Sequence, residues 1–425
     1  MAVRTKIKSR KEKHKMKKII SLVLAIMMIA AMAVPAFAYS TSGNYSTKVE
    51  DEEYYKKFYG QGIEINVCNW GEFLANDPVN FVDVNKDFEE LTGIKVNYTL
   101  FSTNEELYAK LRAGGSYYDI IVPSDYMIGR MIDEGMLKKI NFDNVPNYKN
   151  IDETYKNANF DPNNEYSVPL FWGVVGIIYN KDMVDEADLT GWDVLWNQKY
   201  SGNMLMFSNS RDAFALSLLD LGYSFNTTNS DEIAKAAEHL KEQKATMNPS
   251  YVMDEIYDKM EGGEAAIAPY YNGDAVLIMR EAEDMNIDFY IPENTSIFID
   301  SMCIPSTSEN SEAAELYINY MCEATVAAAN SYYVGYSTPI HAAYELLDED
   351  LRENTIAYPD TEFLDSLDAF LTLPEDTSSL MDGYWTELMA ASNSIWIYAA
   401  VLVVVLGGAA AFVIIRKNKR KKMDY

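Results

Sequence analysis

Cysteine and histidine are scarce in this 425-residue chain, with three of each. Cys68, Cys303 and Cys322 are odd in number, far apart and without a CxxC pair or histidine partners. That excludes a disulfide framework and a structural zinc site, and the apolar context of each fits a small packed hydrophobe. The only histidines are His14, His239 and His341, so a histidine-rich metal centre is not expected. No nucleophile elbow, metal-ligand motif or phosphate loop occurs, which argues against a hydrolase and against any enzyme. No cofactor is expected. Basic residues are in the minority, 36 Lys and Arg against 64 Asp and Glu. The resulting field disfavours nucleic acid as a partner.

What is present is unevenly distributed. The formal charge of −28 is composed of +8 on residues 1–38, +5 on residues 395–425 and −41 on the stretch between. So strong a negative field steers cations toward the middle of the chain. The basic start, the apolar run Ile19–Val34 and Ala36-Phe37-Ala38 read as a secretory signal peptide with a small-x-small cleavage site, residues 1–38. No Cys follows closely, so an N-terminal lipid anchor is not expected. Ile395–Ile415 carries no charge and has the length of a membrane-spanning helix. Trp396 and Tyr398 suit its outer interface and the basic tail 416–425 its inner one. The middle of the chain is then expected outside the cell, tethered to the membrane by its C-terminal helix.

Residues 39–60 are polar and charged and read as a loose linker. From Ile63 the pattern alternates. A strand Ile63–Cys68 empties into Asn69-Trp70-Gly71-Glu72-Phe73, and a helix Asn80–Leu91 ends at Gly93. A strand Ile94–Tyr98, a helix Asn104–Ala113, a strand Tyr118–Val122 and a helix from Ser124 or Asp125 to Glu134 follow. The βαβαβα order predicts a largely parallel sheet with right-handed crossovers. Tyr166–Asn180 is too long for one flat strand and reads as a crossing from a first lobe into a second. Ile297–Pro305 reads as the crossing back. In the second lobe, Met204–Phe207 leads to a helix opened by Asn209-Ser210-Arg211-Asp212. There Ala265–Ala268 leads to Pro269-Tyr270-Tyr271-Asn272-Gly273-Asp274. The expected class is α/β, two-lobed with hinge crossovers, plus the C-terminal transmembrane helix. Lobe 1 covers 61–174 and 299–344, and lobe 2 covers 175–298 and 345–390.

Aromatic and acidic residues recur at the strand ends: Trp70 and Glu72, Tyr126, Asp212, Tyr271, Phe298 and Asp300, Tyr336. In open α/β sheets ligands sit in the crevice beyond those ends. Ring faces and carboxylates together favour a cation. On Asn69-Trp70-Gly71-Glu72, Thr92-Gly93-Ile94-Lys95-Val96 and Tyr118-Asp119-Ile120-Ile121-Val122-Pro123-Ser124, the chain resembles the polyamine-binding receptors of ABC importers, the spermidine/putrescine-binding protein family. Tyr108-Ala109-Lys110-Leu111, Asp161–Pro169, Leu221–Ser224, Phe298-Ile299-Asp300-Ser301 and Gly335-Tyr336-Ser337-Thr338-Pro339 extend the resemblance from about Ile63 to Tyr358.

The resemblance implies a periplasmic-binding-protein-like fold of type II, a polyamine ligand, and an ABC permease with its ATPase as partners. Position by position it implies aromatic walls at Trp70, Phe73 and Tyr126, and polar contacts at Glu72 and Ser124. It further implies an acidic contact at Asp212 and a diagnostic carboxylate at Asp300, with Phe298 and Tyr336 as further rings. Asn209 stands where spermidine receptors carry Asp, and Tyr271 where Trp is familiar. Ferric-ion receptors share the fold and use adjacent tyrosines, which makes Tyr332-Tyr333 the alternative ligand pair. The shortage of histidine weighs against it.

Overall fold

The computed structural model describes residues 39–282 and 284–390. The expected signal peptide at 1–38, the membrane helix at 395–415 and the tail at 416–425 lie outside the described residues. Among the described residues no helix is long and apolar enough to cross a membrane.

The first strand, β1 (Glu64–Asn69), buries Ile65, Val67 and Cys68. It pairs in parallel with β2 (Lys95–Leu100) on one side and β3 (Ile120–Ile121) on the other. The connections are helical. Helix α1 (Val84–Thr92) starts where the Asp83 carboxylate accepts the Lys86 N–H, and it stops at Gly93 with φ 70°. That left-handed terminus favours glycine. Helix α2 (Asn104–Ala113) is capped by the Thr103 hydroxyl on the Glu106 N–H, and α3 (Asp125–Asp133) follows β3 directly.

Strand β4 (Ser167–Asn180) is a single strand of 14 residues, buried along its whole length. Beyond it lie β5 (Leu205–Phe207), α4 (Ser210–Asp220), α5 (Ser230–Met247), β6 (Ser250–Val252), α6 (Ile256–Glu261), β7 (Ile267–Tyr271), α7 (Asn272–Glu281) and β8 (Ile287–Tyr290). The chain returns through β9 (Ser296–Cys303), then α8 (Ser311–Met321) and α9 (Ala324–Val334). The first half of β4 pairs antiparallel with β9, from Ser167 opposite Cys303 to Val174 opposite Ile297. Its second half pairs antiparallel with β7 and β8. The sheet order is β8-β4-β9-β3-β1-β2, with β7 also on β4 and Asp368–Ala369 on β9.

The sheet is parallel over β1, β2 and β3, as their βαβαβα order predicts, and where Asp368–Ala369 joins β9; β4, β9, β7 and β8 pair antiparallel. A strand that leaves one set of helices and a second that comes back must run in opposite directions. The long apolar run is one continuous strand, as its length and β-branched content allow.

The stretch 39–60, expected as a loose linker, is built into the fold. Tyr45 is 4% exposed and stacks on Tyr332 with ring centres 4.4 Å apart. Buried Asp87 accepts from the Ser40 hydroxyl at 2.7 Å and the Thr47 hydroxyl at 2.5 Å. Tyr55, 1% exposed, donates its hydroxyl to Glu323 at 2.7 Å. The segment's polar residues are the means of its docking, which composition alone does not reveal.

Hydrogen bonds to a charged acceptor contribute about 1.5–3 kcal/mol each. Asp87→Ala leaves the buried Thr47 hydroxyl without its acceptor and is expected to cost about 2–3 kcal/mol of stability. Urea denaturation of the variant checks this; a loss below about 0.5 kcal/mol would mean that the segment is not held there.

Candidate functional site

The loops at the ends of β1, β3 and β7 converge on one cavity. From β1 come Trp70, Gly71 and Phe73, and from the start of α3 come Ser124 and Tyr126. Asp212 arrives on the first turn of α4, Tyr270 and Tyr271 at the end of β7, and Asp274 on the first turn of α7. Phe298 and Asp300 come from β9, and Tyr336 follows α9. Along β9 side chains alternate between faces, which puts Phe298 and Asp300 on the cavity side. A register shift between Asp300 and Ser301 marks a bulge there, a device that re-aims side chains near sites.

Two glycines make room for the rings. A Cβ at Gly273 would meet the Tyr336 ring at 2.3 Å, and one at Gly173 would meet Phe298 at 2.7 Å. Phe298 thus lies on the bare backbone of β4 and Tyr336 on the start of α7. The rings also brace one another. Phe73 meets Tyr336 edge-on at 4.9 Å, and Tyr271 meets Phe298 at 5.2 Å. Trp70 rests on Phe101 at 4.3 Å.

Among these rings sit carboxylates without a cation. Asp212 accepts from the Tyr271 hydroxyl at 3.1 Å and from the Asn209 amide. Burial lifts it to about 6, against the lowering by those donors. Asp274 accepts from the hydroxyls of Tyr257 and Tyr336, and burial still lifts it to about 7. Asp300 is 4% exposed and also stands at about 7. Burial raises it most, the Ser124 hydroxyl lowers it, and Asp212 and Asp274 raise it further. Its Oδ1 and the Trp70 indole N–H are buried with no hydrogen-bond partner among the described residues. Behind Tyr126, whose hydroxyl donates to Glu105 at 2.9 Å, burial lifts Glu105 to about 7. The cavity thus presents acceptors and ring faces, the chemistry that receives an ammonium group with its methylenes.

Nine of the eleven residues singled out from the sequence line this cavity: Trp70, Phe73, Ser124, Tyr126, Asp212, Tyr271, Phe298, Asp300 and Tyr336. Two do not. Glu72 is exposed, at φ 41°, and points outside the lining. Asn209 is buried behind Asp212, where its side chain accepts the Asp212 N–H at 3.2 Å and caps α4. Ser124 precedes α3 without capping it through its side chain; its hydroxyl accepts from Asn104 at 3.0 Å instead. Sequence reasoning missed Asp274, although it lies in the same junction as Tyr271, and it missed Phe370, which no periodic pattern flags. Asp254 is a further omission; its carboxylate lies so close to Gly71 that a Cβ there would meet Oδ2 at 2.4 Å. Tyr332 and Tyr333 are not in the lining. Tyr332 packs on Tyr45 and Phe81, and Tyr333 packs on Phe81 with its hydroxyl on Asn76.

Residues 84–358 match the family of bacterial extracellular solute-binding proteins. The chain is 34% identical over 330 residues to the spermidine/putrescine-binding periplasmic protein of Escherichia coli, covering 77% of this chain and 88% of that one. It is 30% identical over 341 residues to a putrescine-binding periplasmic protein of Pseudomonas aeruginosa, covering 76% and 91%. Among solved structures, a putative spermidine/putrescine ABC transporter protein from Listeria monocytogenes superposes with a TM-score of 0.71 at 34% identity, over 77% of this chain and 98% of that one. A spermidine/putrescine ABC transporter substrate-binding protein from Streptococcus pneumoniae gives 0.64 at 32%, over 77% and 99%.

The raised carboxyls set a pH dependence. In the unfolded chain they titrate near 4, whereas in the folded protein Asp212 stands at about 6 and Asp274 and Asp300 at about 7. Between those values the folded state holds more protons than the unfolded chain, so this cluster's contribution to stability falls as pH rises through the window. Asp300→Asn removes the charge and keeps the shape. It is expected to raise the denaturation midpoint of the ligand-free protein at pH 7.5, where Asp300 is ionised, and to change it little at pH 5. An unchanged or lowered midpoint at pH 7.5 would contradict an uncompensated buried charge at this position.

Proposed function

Because this chain belongs to the bacterial extracellular solute-binding protein family, we propose that it captures a polyamine, putrescine or spermidine, and delivers it to the permease of an ABC importer driven by a cytoplasmic ATPase. The observation that carries this reading is the cavity itself, where Asp212, Asp274 and Asp300 stand among the rings of Trp70, Tyr271, Phe298 and Tyr336 and form no salt bridge among the described residues. A polyamine is a slender alkyl chain with ammonium groups at intervals. Its methylenes need flat apolar walls, and each nitrogen needs acceptors, because an unpaired buried charge costs several kcal/mol. Carboxyls near pKa 7 lose their protons to solvent when an ammonium arrives beside them and lowers their pKa, so capture is accompanied by proton release. The role is binding, without catalysis.

In this reading the pocket lies between two lobes, 61–174 with 299–344 and 175–298 with 345–390, and β4 and β9 are the hinge crossings over which they close. The segment 1–38 exports the chain, and 395–415 holds it at the outer face of the membrane. The eleven residues from the resemblance divide into nine that would touch the ligand, Asn209 that would orient Asp212, and Glu72 that would reach the ligand only after its loop moves.

Asp300→Ala is expected to weaken putrescine or spermidine binding at least tenfold, about 1.4 kcal/mol, by leaving an ammonium unpaired. Calorimetric titration at pH 7 in buffers of different ionisation enthalpy reads both the affinity and the protons released. Unchanged polyamine affinity in Asp300→Ala would overturn the assignment.

A further inference from the structure

The two crossing strands have a second face. Phe298 and Asp300 of β9 turn toward the cavity described above. Their neighbour Ile297, with Trp172 of β4, turns the other way and lines a separate cavity. Trp172 is 3% exposed, and its indole N–H is fixed on the Thr338 carbonyl at 3.3 Å. Tyr155 stacks on it with ring centres 5.5 Å apart and planes 22° apart, and Tyr358 stands edge-on to it at 6.0 Å. Tyr344 meets Tyr358 edge-on at 4.8 Å, which continues the aromatic wall.

Two carboxylates, Asp152 and Asp365, complete the lining. Neither forms a salt bridge among the described residues. Asp152 accepts the Thr154 N–H at 2.9 Å, and that bond holds its carboxyl below the usual range, so it is ionised at neutral pH. The one basic side chain in the lining, His341, is largely exposed and lies 3.7 Å from Glu345. His341 and Lys156 act on Asp152 without forming a salt bridge to it, and Asp365 is exposed at the rim. Stacked phenol and indole faces flanked by these carboxylates attract an organic cation by π attraction and charge together.

We propose that this rear cavity, walled by Tyr155, Trp172, Tyr344 and Tyr358 and flanked by Asp152 and Asp365, is a second binding site, and that its ligand is an organic ammonium ion. It is separate from the front cavity, shares none of its lining residues, and does not depend on what the front cavity binds.

The test uses the protein labelled with fluorotryptophan, the Trp172 resonance being assigned through Trp172→Phe, and choline chloride as the probe. The Trp172 resonance is expected to shift saturably with choline, and not with sodium chloride at equal ionic strength. Asp365→Asn and Asp152→Asn, which keep shape and, at Asp152, the capping acceptor, are each expected to weaken that response at least fivefold, while Asp300→Ala leaves it intact. A Trp172 resonance that stays still, moves equally with sodium chloride, or responds equally in both Asn variants with unchanged melting profiles would overturn the proposal.

Discussion

The antiparallel pairing of β4 with β9 is the constraint on which the rest of the structure depends. One strand carries the chain out of the β1–β2–β3 group and the other brings it back, and their register decides what faces the cavity. Phe298 lies opposite Gly173 and Asp300 opposite Phe171, while Ile297 and Ile299 lie opposite Val174 and Trp172. Because side chains alternate along a strand, a slip of one residue would exchange the two faces. The cavity would then present isoleucine in place of a carboxylate and a ring. The bare backbone at Gly173 fits that register, since a Cβ there would meet the Phe298 ring at 2.7 Å.

On that frame the cavity holds acidic groups at a cost to the empty protein. Burial raises Asp212, Asp274 and Asp300; the Tyr271 hydroxyl offsets part of the penalty by donating to Asp212, those of Tyr257 and Tyr336 by donating to Asp274, and the Ser124 hydroxyl lowers Asp300. Phenol donors are suited to this. They lower the carboxyl without neutralising it, and their rings remain as walls. A Lys or Arg in the same place would stabilise the fold more and would abolish the attraction for a cation. Arg211 donates to the Phe225 carbonyl at 2.9 Å and lies over the Phe370 ring at 4.6 Å, so it supports the pocket wall. Its charge lowers Asp212 but forms no salt bridge with it.

Much of this was legible in the sequence, and the gaps have physical reasons. The strand before Trp70 and the helix Asn104–Ala113 follow from alternation, capping and glycine termination. Helix α1 begins at Val84 and not at Asn80, because the Asp77 carboxylate accepts the N–H groups of Val79 and Asn80 and holds that stretch as a turn. Strand β7 runs on through Pro269 to Tyr271, since an apolar run next to a helix gives no sign of where pairing stops. The docked segment 39–60 escaped notice for a different reason. Its anchors, Asp87 and Glu323, are distant in sequence, and polar composition looks the same whether hydrogen bonds go to water or to a buried carboxylate.

Asp274 escaped for yet another reason. The resemblance names the positions where a contact is expected, and Asp274 is not among them. It implies an Asp where this chain has Asn209, which read alone suggests a weaker hold on a cation. The structure uses Asn209 as a helix cap that also donates to Asp212. Asp274 lies across the ring cluster, joined to Asp212 through Tyr336, Phe298 and Tyr271 in turn. Asp212, Asp274 and Asp300 are thus spread along the ring wall. For a ligand whose charges are spaced along a chain, the placement of carboxylates matters as much as their number, because each nitrogen must meet an acceptor where it falls. Placement of that kind depends on which loops the fold brings together, and it becomes visible only once β4 and β9 have set the walls side by side.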